Sequence, residues 1–208
     1  MLERSTRAGT AQPPREGAVR PRGDHDLNPD LYDPKRSLVP AAVLVPIVAR
    51  RPGPTVLLTR RTEHLDSHAG QISFPGGRIE PHDEGPTGAA LREAEEEVGL
   101  PLERVRIVGE LDRYIVRTGF EITPVVGLVK PPFEIRPDSF EVAEVFEVPL
   151  EFLLMPDNAQ RHSREYQGRT RHFYVFPYKD YYIWGATAGM LVNLREVLTG
   201  VGPRARPD

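Results

Sequence analysis

Short aliphatic runs and longer helical repeats alternate along the chain. Aliphatic runs at residues 41–49 and 55–61 flank the sequence Arg51-Pro52-Gly53-Pro54, which predicts two strands joined by a turn. Further segments are rich in β-branched and aromatic residues, which favour strands. These four predicted strands lie at residues 104–116, 121–129, 142–148 and 171–176.

Two longer segments carry the spacing of helices. The first is predicted to begin near Pro86 and Thr87 and to end at Gly99, because glycine readily adopts the left-handed conformation that closes a helix. The second, residues 187–198, repeats apolar residues at helical spacing and predicts one packing stripe. That stripe consists of Met190, Leu191, Leu194, Val197 and Leu198. Residues 149–154 predict a short helix, and the whole order predicts an α/β fold with helices on a mixed sheet.

The two ends of the chain differ from its middle. Residues 1–37 are rich in Arg, Pro, Gly and Asp and show neither helical nor strand periodicity, which predicts a disordered leader. They lack the apolar stretch of about 7 to 15 residues that a secretory signal needs. We expect one domain at residues 38–199 and a flexible tail at residues 200–208.

Composition excludes several classes of protein. The chain has 208 residues, of which 39% are hydrophobic, and no apolar run approaches the length of about 20 residues that crosses a bilayer. A net charge of −3 argues against a nucleic-acid partner bound through bulk electrostatics. Without cysteine there is neither a disulfide framework nor a thiol nucleophile. We expect a cytoplasmic protein with a small-molecule partner and no membrane partner, and the sequence leaves a homodimer open.

Acidic residues gather on the first helix, directly after a paired-glycine turn at Gly76 and Gly77. Residues three and four apart in a helix are neighbours, so Glu93, Glu96 and Glu97 are predicted to point the same way. Clustered carboxylates repel one another unless a cation sits among them, and Mg²⁺ or Mn²⁺ prefers oxygen ligands. The competing interpretation is a solvated acidic helix face.

This segment resembles the Nudix box, in which glycine, acidic and Arg-Glu positions follow one another at fixed spacing. The matching residues are Gly77, Asp83, Arg92, Glu93, Glu96, Glu97, Gly99 and Leu100. Asp83 stands where the family has glutamate, eight residues rather than seven separate it from Arg92, and Ala94 replaces a larger aliphatic residue. The box (residues 77–100) therefore fits with a one-residue insertion.

A second signature, just upstream, is similar to that of the coenzyme A diphosphatase branch of the family, in which the same insertion is seen. Its matching residues are Leu57, Leu58, Thr59, Arg61, Gly70, Phe74, Pro75, Gly76 and Gly77. Thr62 stands where serine or alanine is usual, and Asp66 reverses the charge of an arginine position. Segments 141–146 and 182–188 also look like this branch, so the resemblance spans about residues 38–199.

The resemblance implies a Nudix-type α/β/α sandwich and a metal-dependent hydrolase, with Mg²⁺ or Mn²⁺ as cofactor. The implied substrate is coenzyme A or a derivative, cleaved to 4′-phosphopantetheine and adenosine 3′,5′-bisphosphate. The alternatives are a Nudix hydrolase of ADP-ribose or a dinucleotide, and a non-catalytic nucleotide sensor. The sensor predicts a broken box, whereas this chain retains its three box glutamates.

The implied roles fall into three groups. Metal ligands are Glu93, Glu96, Glu97 and the carbonyl of Gly77. Among catalytic residues, Arg92 either orients the box by pairing with Asp83 or contacts substrate, and the general base is Glu93, Glu141 or Glu144. Candidate substrate contacts are Gly76, Arg60 and Arg61. Because residues on a strand alternate faces, at most one of the two arginines should point into the cleft.

Other candidates carry weaker signals. His64 and His68 are spaced as ligands on a helix would be, but their neighbours predict a loop of solvated polar residues. His82 lies in the box loop, where exposure is the expected state. Trp184 follows Tyr181 and Tyr182, and this group predicts an aromatic core cluster in preference to a ring that stacks on adenine.

Overall fold

The computed structural model describes residues 21–64 and 69–201. Residues 1–20 of the predicted leader, most of the predicted tail, Asp66 and His68 lie outside the described residues. The strands are β1 (Arg22–Gly23), β2 (Val39–Val48), β3 (Thr55–Arg61), β4 (Ile72–Ser73), β5 (Gly76–Arg78), β6 (Val105–Glu110), β7 (Tyr114–Ile115), β8 (Phe120–Val129), β9 (Val142–Pro149), β10 (Gln160–Tyr166), β11 (Arg169–Tyr178) and β12 (Tyr181–Trp184). The helices are α1 (Gly85–Val98), α2 (Leu150–Leu154) and α3 (Gly185–Thr199), and short 3₁₀ turns lie between several elements.

Strand β2 is the centre of a mixed sheet that has nine strands within the described residues. It pairs in parallel with β8 over its full length, from Val39 opposite Phe120 to Val48 opposite Val129, and antiparallel with β3 and β5. Strand β9 extends the sheet from β3, and β6 and β7 pair with β8. A strand enclosed on both faces needs a nearly continuous apolar sequence, which β2 has.

Successive residues of β2 serve two different hydrophobic cores. Ala42 and Leu44 pack on one face with Ala90 and Ala94 of α1. Val43 and Val45 pack on the other face, and that core includes residues of α3 such as Leu191. Side chains alternate across a strand, so one central strand can hold two layers of helix against the sheet. This confirms the predicted α/β fold with helices on both faces of a mixed sheet.

A second, smaller sheet joins β10, β11 and β12 in antiparallel order. Phe176 of β11 and Ile183 of β12 are opposite each other and fully buried, in the same core as α3. The opposite face of this sheet carries Arg164, Phe173 and Trp184. Strands β10 and β12 were not predicted, because Gln160–Tyr166 is almost entirely polar and Tyr181–Trp184 is only four residues long.

Residues 21–37 correct the predicted leader. Strand β1 pairs in parallel with β7, and Arg22 donates from Nε to Asp112 (2.8 Å) and from Nη2 to Glu196 (2.5 Å). The side chain of Asn28 is buried and bonds to both the amide and the carbonyl of His172 at 2.9 Å. Hydrogen bonds to distant residues, rather than an apolar repeat, fix this segment to the domain, which is why periodicity missed it.

Two further predictions need correction, while the short helix at α2 and the end of α1 are confirmed. The strand predicted at residues 104–116 is two strands, β6 and β7, separated by an irregular segment around Asp112, whose amide donates to Asn193. In α3 the apolar stripe is buried only in its first part: Val197 is 60% and Leu198 49% exposed, because the last turn extends past the surface on which the helix packs.

Among the described residues, no helix has the length and apolar character to cross a membrane.

Candidate active site

The paired glycines bring the box loop against β2. In β5, Gly76 pairs with Val43 and Gly77 with Ala42. A Cβ on Gly76 would overlap the carbonyl oxygen of Ala42, and a Cβ on Gly77 would overlap the carboxylate of Glu93. At Gly76 the obstacle is backbone, so only glycine permits this approach there, and the loop backbone lies directly beside the acidic face of α1.

Arg92 holds one end of the box together. Its Nε donates to Oδ1 of Asp83 (2.9 Å) and its Nη2 to Oδ2 (3.1 Å), while Nη1 donates to Glu93 (3.0 Å) and Glu96 (2.9 Å). Asp83 also accepts the amide of Glu80 at 2.7 Å. The hydrogen bonds from Arg92 lower the pKa of Asp83 to about 2. Asp83 thus occupies the acid position of the box despite the inserted residue, in the pairing expected from the sequence.

Glu97 is the buried acid of the site. Only 5% of the residue is exposed, its Oε2 accepts the amide of Gly76 (3.1 Å), and its Oε1 lies 3.5 Å from Nη1 of Arg61. Burial raises the pKa of Glu97 to about 7, against the lowering effects of the Gly76 amide and Arg61, while Glu93 and Glu141 raise it further. Burial also raises the pKa of Glu93, and Glu141 adds to that shift. Glu93, Glu97 and Glu141 therefore form a cluster of mutually repelling carboxylates.

The three box glutamates lie in different surroundings. Glu93 and Glu97 face the paired glycines, whereas 60% of the Glu96 side chain is exposed, although Nη1 of Arg92 bonds to both Glu93 and Glu96. Within the described residues, no three acidic or histidine side chains stand together at metal-ligand spacing. The donor set nevertheless suits a hard cation, because a divalent ion would favour the charged forms of Glu93 and Glu97, which burial and repulsion now disfavour.

The two candidate arginines separate, as residues on a strand must. Arg61 lies between Glu97 and Glu141, with its Nη2 3.7 Å from the latter. Arg60 pairs instead with Glu144 at 2.9 Å, and Glu144 also accepts the hydroxyl of Tyr181 at 2.5 Å. A register shift between Arg60 and Arg61 in the β3–β9 ladder accompanies this divergence. Of the two later acids, Glu141 therefore joins the box carboxylates, while Glu144 belongs to a separate ion pair.

A cavity of about 490 Å³ adjoins the box loop. Gly76, Gly77 and Arg61 contribute to its lining from the carboxylate side. The rest of the lining includes Trp184, which the sequence offered as a possible adenine-stacking ring, and residues that sequence reasoning did not select: Arg117, Arg164, Tyr166, Arg171 and Phe173. They come from separate parts of the chain, and the only sequence signal for them is the alternation of arginine and aromatic residues in β10 and β11.

The weaker candidates take varied positions. His64 packs against Phe140, with ring centroids 4.8 Å apart, and His82 is exposed. The predicted aromatic core cluster is wrong for the group as a whole: Tyr181 stacks on Phe146 and packs against the core, but Tyr182 is 46% exposed. Trp184 instead lines the cavity, with its ring centroid 5.4 Å from that of Phe173. Tyr181 lies on one face of β12, while Tyr182 and Trp184 share the opposite face.

Comparison with known proteins places this site in a family. Residues 38–168 match the NUDIX domain. The chain is 43% identical over 154 residues to the uncharacterized Nudix hydrolase NudL of Escherichia coli K12, which covers 74% of this chain and 80% of that protein. The NudL of Shigella boydii serotype 18 shows the same identity and coverage.

Among solved structures, the chain is similar to the Nudix hydrolase RenU from M. smegmatis, at 21% identity. The match covers 82% of this chain and 91% of that one, with a TM-score of 0.51, and supports the fold alone. The domain match and the 43% identity, over a chain that retains the box residues, establish the family directly. This protein belongs to the Nudix hydrolase family and is an enzyme that acts on pyrophosphate bonds.

Proposed function

We propose that this enzyme hydrolyses the diphosphate of coenzyme A or a derivative of it, with Mg²⁺ or Mn²⁺, to give 4′-phosphopantetheine and adenosine 3′,5′-bisphosphate. The position of Arg61 carries the proposal. Arg61 belongs to the upstream signature that resembles the coenzyme A branch, and its guanidinium lies between Glu97 of the box and Glu141. The upstream signature, which indicates the substrate, and the box, which offers the metal ligands, therefore meet in one site.

The chain offers ligands for the metal that Nudix hydrolases generally need. Glu93 and Glu97 and the carbonyl of Gly77 would hold it, and Glu96 would join them on release from Arg92. The bound ion would neutralise charge on the diphosphate and lower the pKa of a coordinated water. We assign both roles from the chemistry of the donors, which are all oxygens beside a close-packed glycine backbone.

The remaining residues of the site position the reacting groups. Arg92 holds Asp83 and the box carboxylates in one arrangement, so it acts as a positioning residue rather than a substrate contact. Arg61 supplies positive charge beside the carboxylate cluster, where a diphosphate would approach. A diphosphate repels an incoming hydroxide, and both effects reduce that repulsion.

Glu93 and Glu141 are the candidates we retain for general base. Both contribute to the carboxylate cluster, and the side chain of Glu141 is 42% exposed, which gives water access to it. Glu144 is less suited to this role, because Arg60 and the Tyr181 hydroxyl already occupy both of its oxygens. We favour Arg61 over Arg60 as the substrate contact, because Arg61 lines the cavity whereas Arg60 pairs with Glu144.

Turnover of four diphosphates tests the proposal. Purified protein with Mg²⁺ or Mn²⁺ should cleave coenzyme A faster than dephospho-coenzyme A, ADP-ribose and NADH, with 4′-phosphopantetheine and adenosine 3′,5′-bisphosphate identified by mass spectrometry. Faster cleavage of ADP-ribose than of coenzyme A would overturn the substrate assignment. Cleavage of none of the four by metal-loaded protein would overturn the whole proposal.

A further inference from the structure

One wall of the cavity combines arginines with aromatic rings. Residues on the same face of the second sheet bring Arg164 of β10 over the rings of Trp184 and Phe173, with its Cζ 4.9 Å and 6.0 Å from their centroids. Tyr166 lies between two guanidinium groups, 5.9 Å from Arg164 and 4.6 Å from Arg117. We call these five residues the arginine-aromatic wall, and all five line the cavity.

The guanidinium groups of this wall are not held in close ion pairs among the described residues. In the described part of the chain, neither Arg164 nor Arg117 forms an ion pair within 4.0 Å. Asp24, which also lines the cavity, accepts the main-chain amide of Arg117 (2.8 Å) and the hydroxyl of Tyr114 (3.3 Å). An anion in this part of the cavity would therefore meet two guanidinium groups against one carboxylate, Asp24, whose charge acts on Arg117.

A neighbouring arginine adds an independent observation. Arg171 faces Arg164 across the β10–β11 ladder and also lines the cavity. Its Nη1 pairs with Asp30 at 2.8 Å, whereas its Nε is buried and has no hydrogen-bond partner among the described residues. A buried donor without a partner is energetically costly, and an anionic ligand is one way to satisfy it.

We propose that the arginine-aromatic wall is a second anion subsite, in which Arg164 and Arg117 hold a phosphate monoester on the nucleoside part of the substrate while Trp184 lies against its base. Guanidinium groups bind phosphate through paired, charge-assisted hydrogen bonds, and an indole ring offers a flat face for stacking. The assignment of the nucleoside to this end rests on the proposed function, because the diphosphate is placed at the opposite, carboxylate side of the cavity.

Trp184 is the only tryptophan in the chain, so its fluorescence reports binding at the arginine-aromatic wall. Its fluorescence is titrated in EDTA with adenosine 3′,5′-bisphosphate and, separately, with 5′-AMP, which lacks the second phosphate. We expect the bisphosphate to bind about tenfold more tightly than AMP. The variant Arg164→Gln should lose about tenfold in affinity for the bisphosphate and little for AMP.

Arg161→Gln is the matched control. Arg161 is an exposed arginine of the same strand, but it lies on the opposite face of the sheet, so its loss removes the same charge without touching the wall. Equal affinity for the two nucleotides, or an equal loss in Arg161→Gln and Arg164→Gln, would overturn the subsite.

If coenzyme A is not cleaved but the difference between nucleotides persists, the subsite stands and the proposed function fails. If coenzyme A is cleaved but the two nucleotides bind equally, the proposed function stands and the subsite fails.

Discussion

The box on α1 and the arginine-aromatic wall on the second sheet carry opposite charges and are assembled in different ways. In the box, Arg92 reaches Asp83, Glu93 and Glu96 within a short stretch of chain. In the wall, strand pairing brings Arg164 beside Trp184 and Phe173. Helix geometry and one turn place the first set, whose members lie within residues 83–96. The second set depends on the register of three strands.

The largest expected effect is on the box itself. Replacing Glu97 with Gln keeps the shape but removes the buried charge, so we expect kcat with Mg²⁺ to fall at least about a hundredfold. Glu95→Gln, on the exposed side of the same helix, is the control and should keep most of its activity. Near-normal turnover in Glu97→Gln, measured on correctly folded protein, would remove this acid from the metal site.

The second-largest effect is expected from the hydrogen bonds that Arg92 makes to the acids of the box. Lys carries three donors on a single nitrogen and cannot replace the five hydrogen bonds that Arg92 makes, so Arg92→Lys should lower kcat about 10- to 100-fold with a smaller change in KM. Arg106→Lys, on an exposed position of β6, tests whether any arginine-to-lysine change has this effect. A loss confined to KM would indicate that Arg92 contacts substrate instead of positioning the box.

The pKa of Glu97 predicts how stability changes with pH. Burial raises this pKa from 4.5 to about 7, so between these values the folded protein keeps a proton that the unfolded chain has released. In EDTA, the free energy of unfolding should therefore fall as pH rises from 4.5 to about 7.5, by an amount on the order of 3 kcal/mol. Urea unfolding measured across this range should show a flatter profile for Glu97→Gln. Magnesium should reduce the loss in the wild type.

The smallest expected effect is a loss of stability at β11, the strand that carries Phe173 of the arginine-aromatic wall. Asn28 fixes residues 21–37 to β11 through the amide and carbonyl of His172, next to Arg171. Asn28→Ala leaves these backbone groups without partners, and we expect a loss of about 1–3 kcal/mol in the free energy of unfolding. Asn158→Ala, which removes one hydrogen bond to Phe152 far along the chain, is a useful comparison. An unchanged urea midpoint in Asn28→Ala would show that this segment is not part of the cooperative unit.

The sequence predicted the box better than the wall for physical reasons. The spacing of Arg92, Glu93 and Glu97 is fixed by the helical period, and the glycine pair before it can be read directly. The same period placed Glu96 beside Glu93, but it could not show that one nitrogen of Arg92 would bind both carboxylates. Likewise, alternation along β3 predicted that Arg60 and Arg61 would separate, without telling which one faces Glu97.

The wall and residues 21–37 depend on contacts between distant segments. Strand β10 is polar on both faces, so no apolar alternation marked it as a strand. Asn28 is ordered by backbone groups of β11, which lie more than a hundred positions away. No local pattern encodes such contacts, and only the folded sheet reveals them.

Strand β2 links the accuracy of folding to the assembly of the catalytic centre. Its odd and even residues enter different cores, and Gly76 and Gly77 are paired to Val43 and Ala42. A slip of one residue would exchange the two cores and at the same moment misplace the glycine pair. A chain that collapsed in the wrong alignment would thus be both unstable and inactive, so long-lived misfolded species with partial activity are not expected. Catalytic competence and correct alignment of this strand should appear together during refolding.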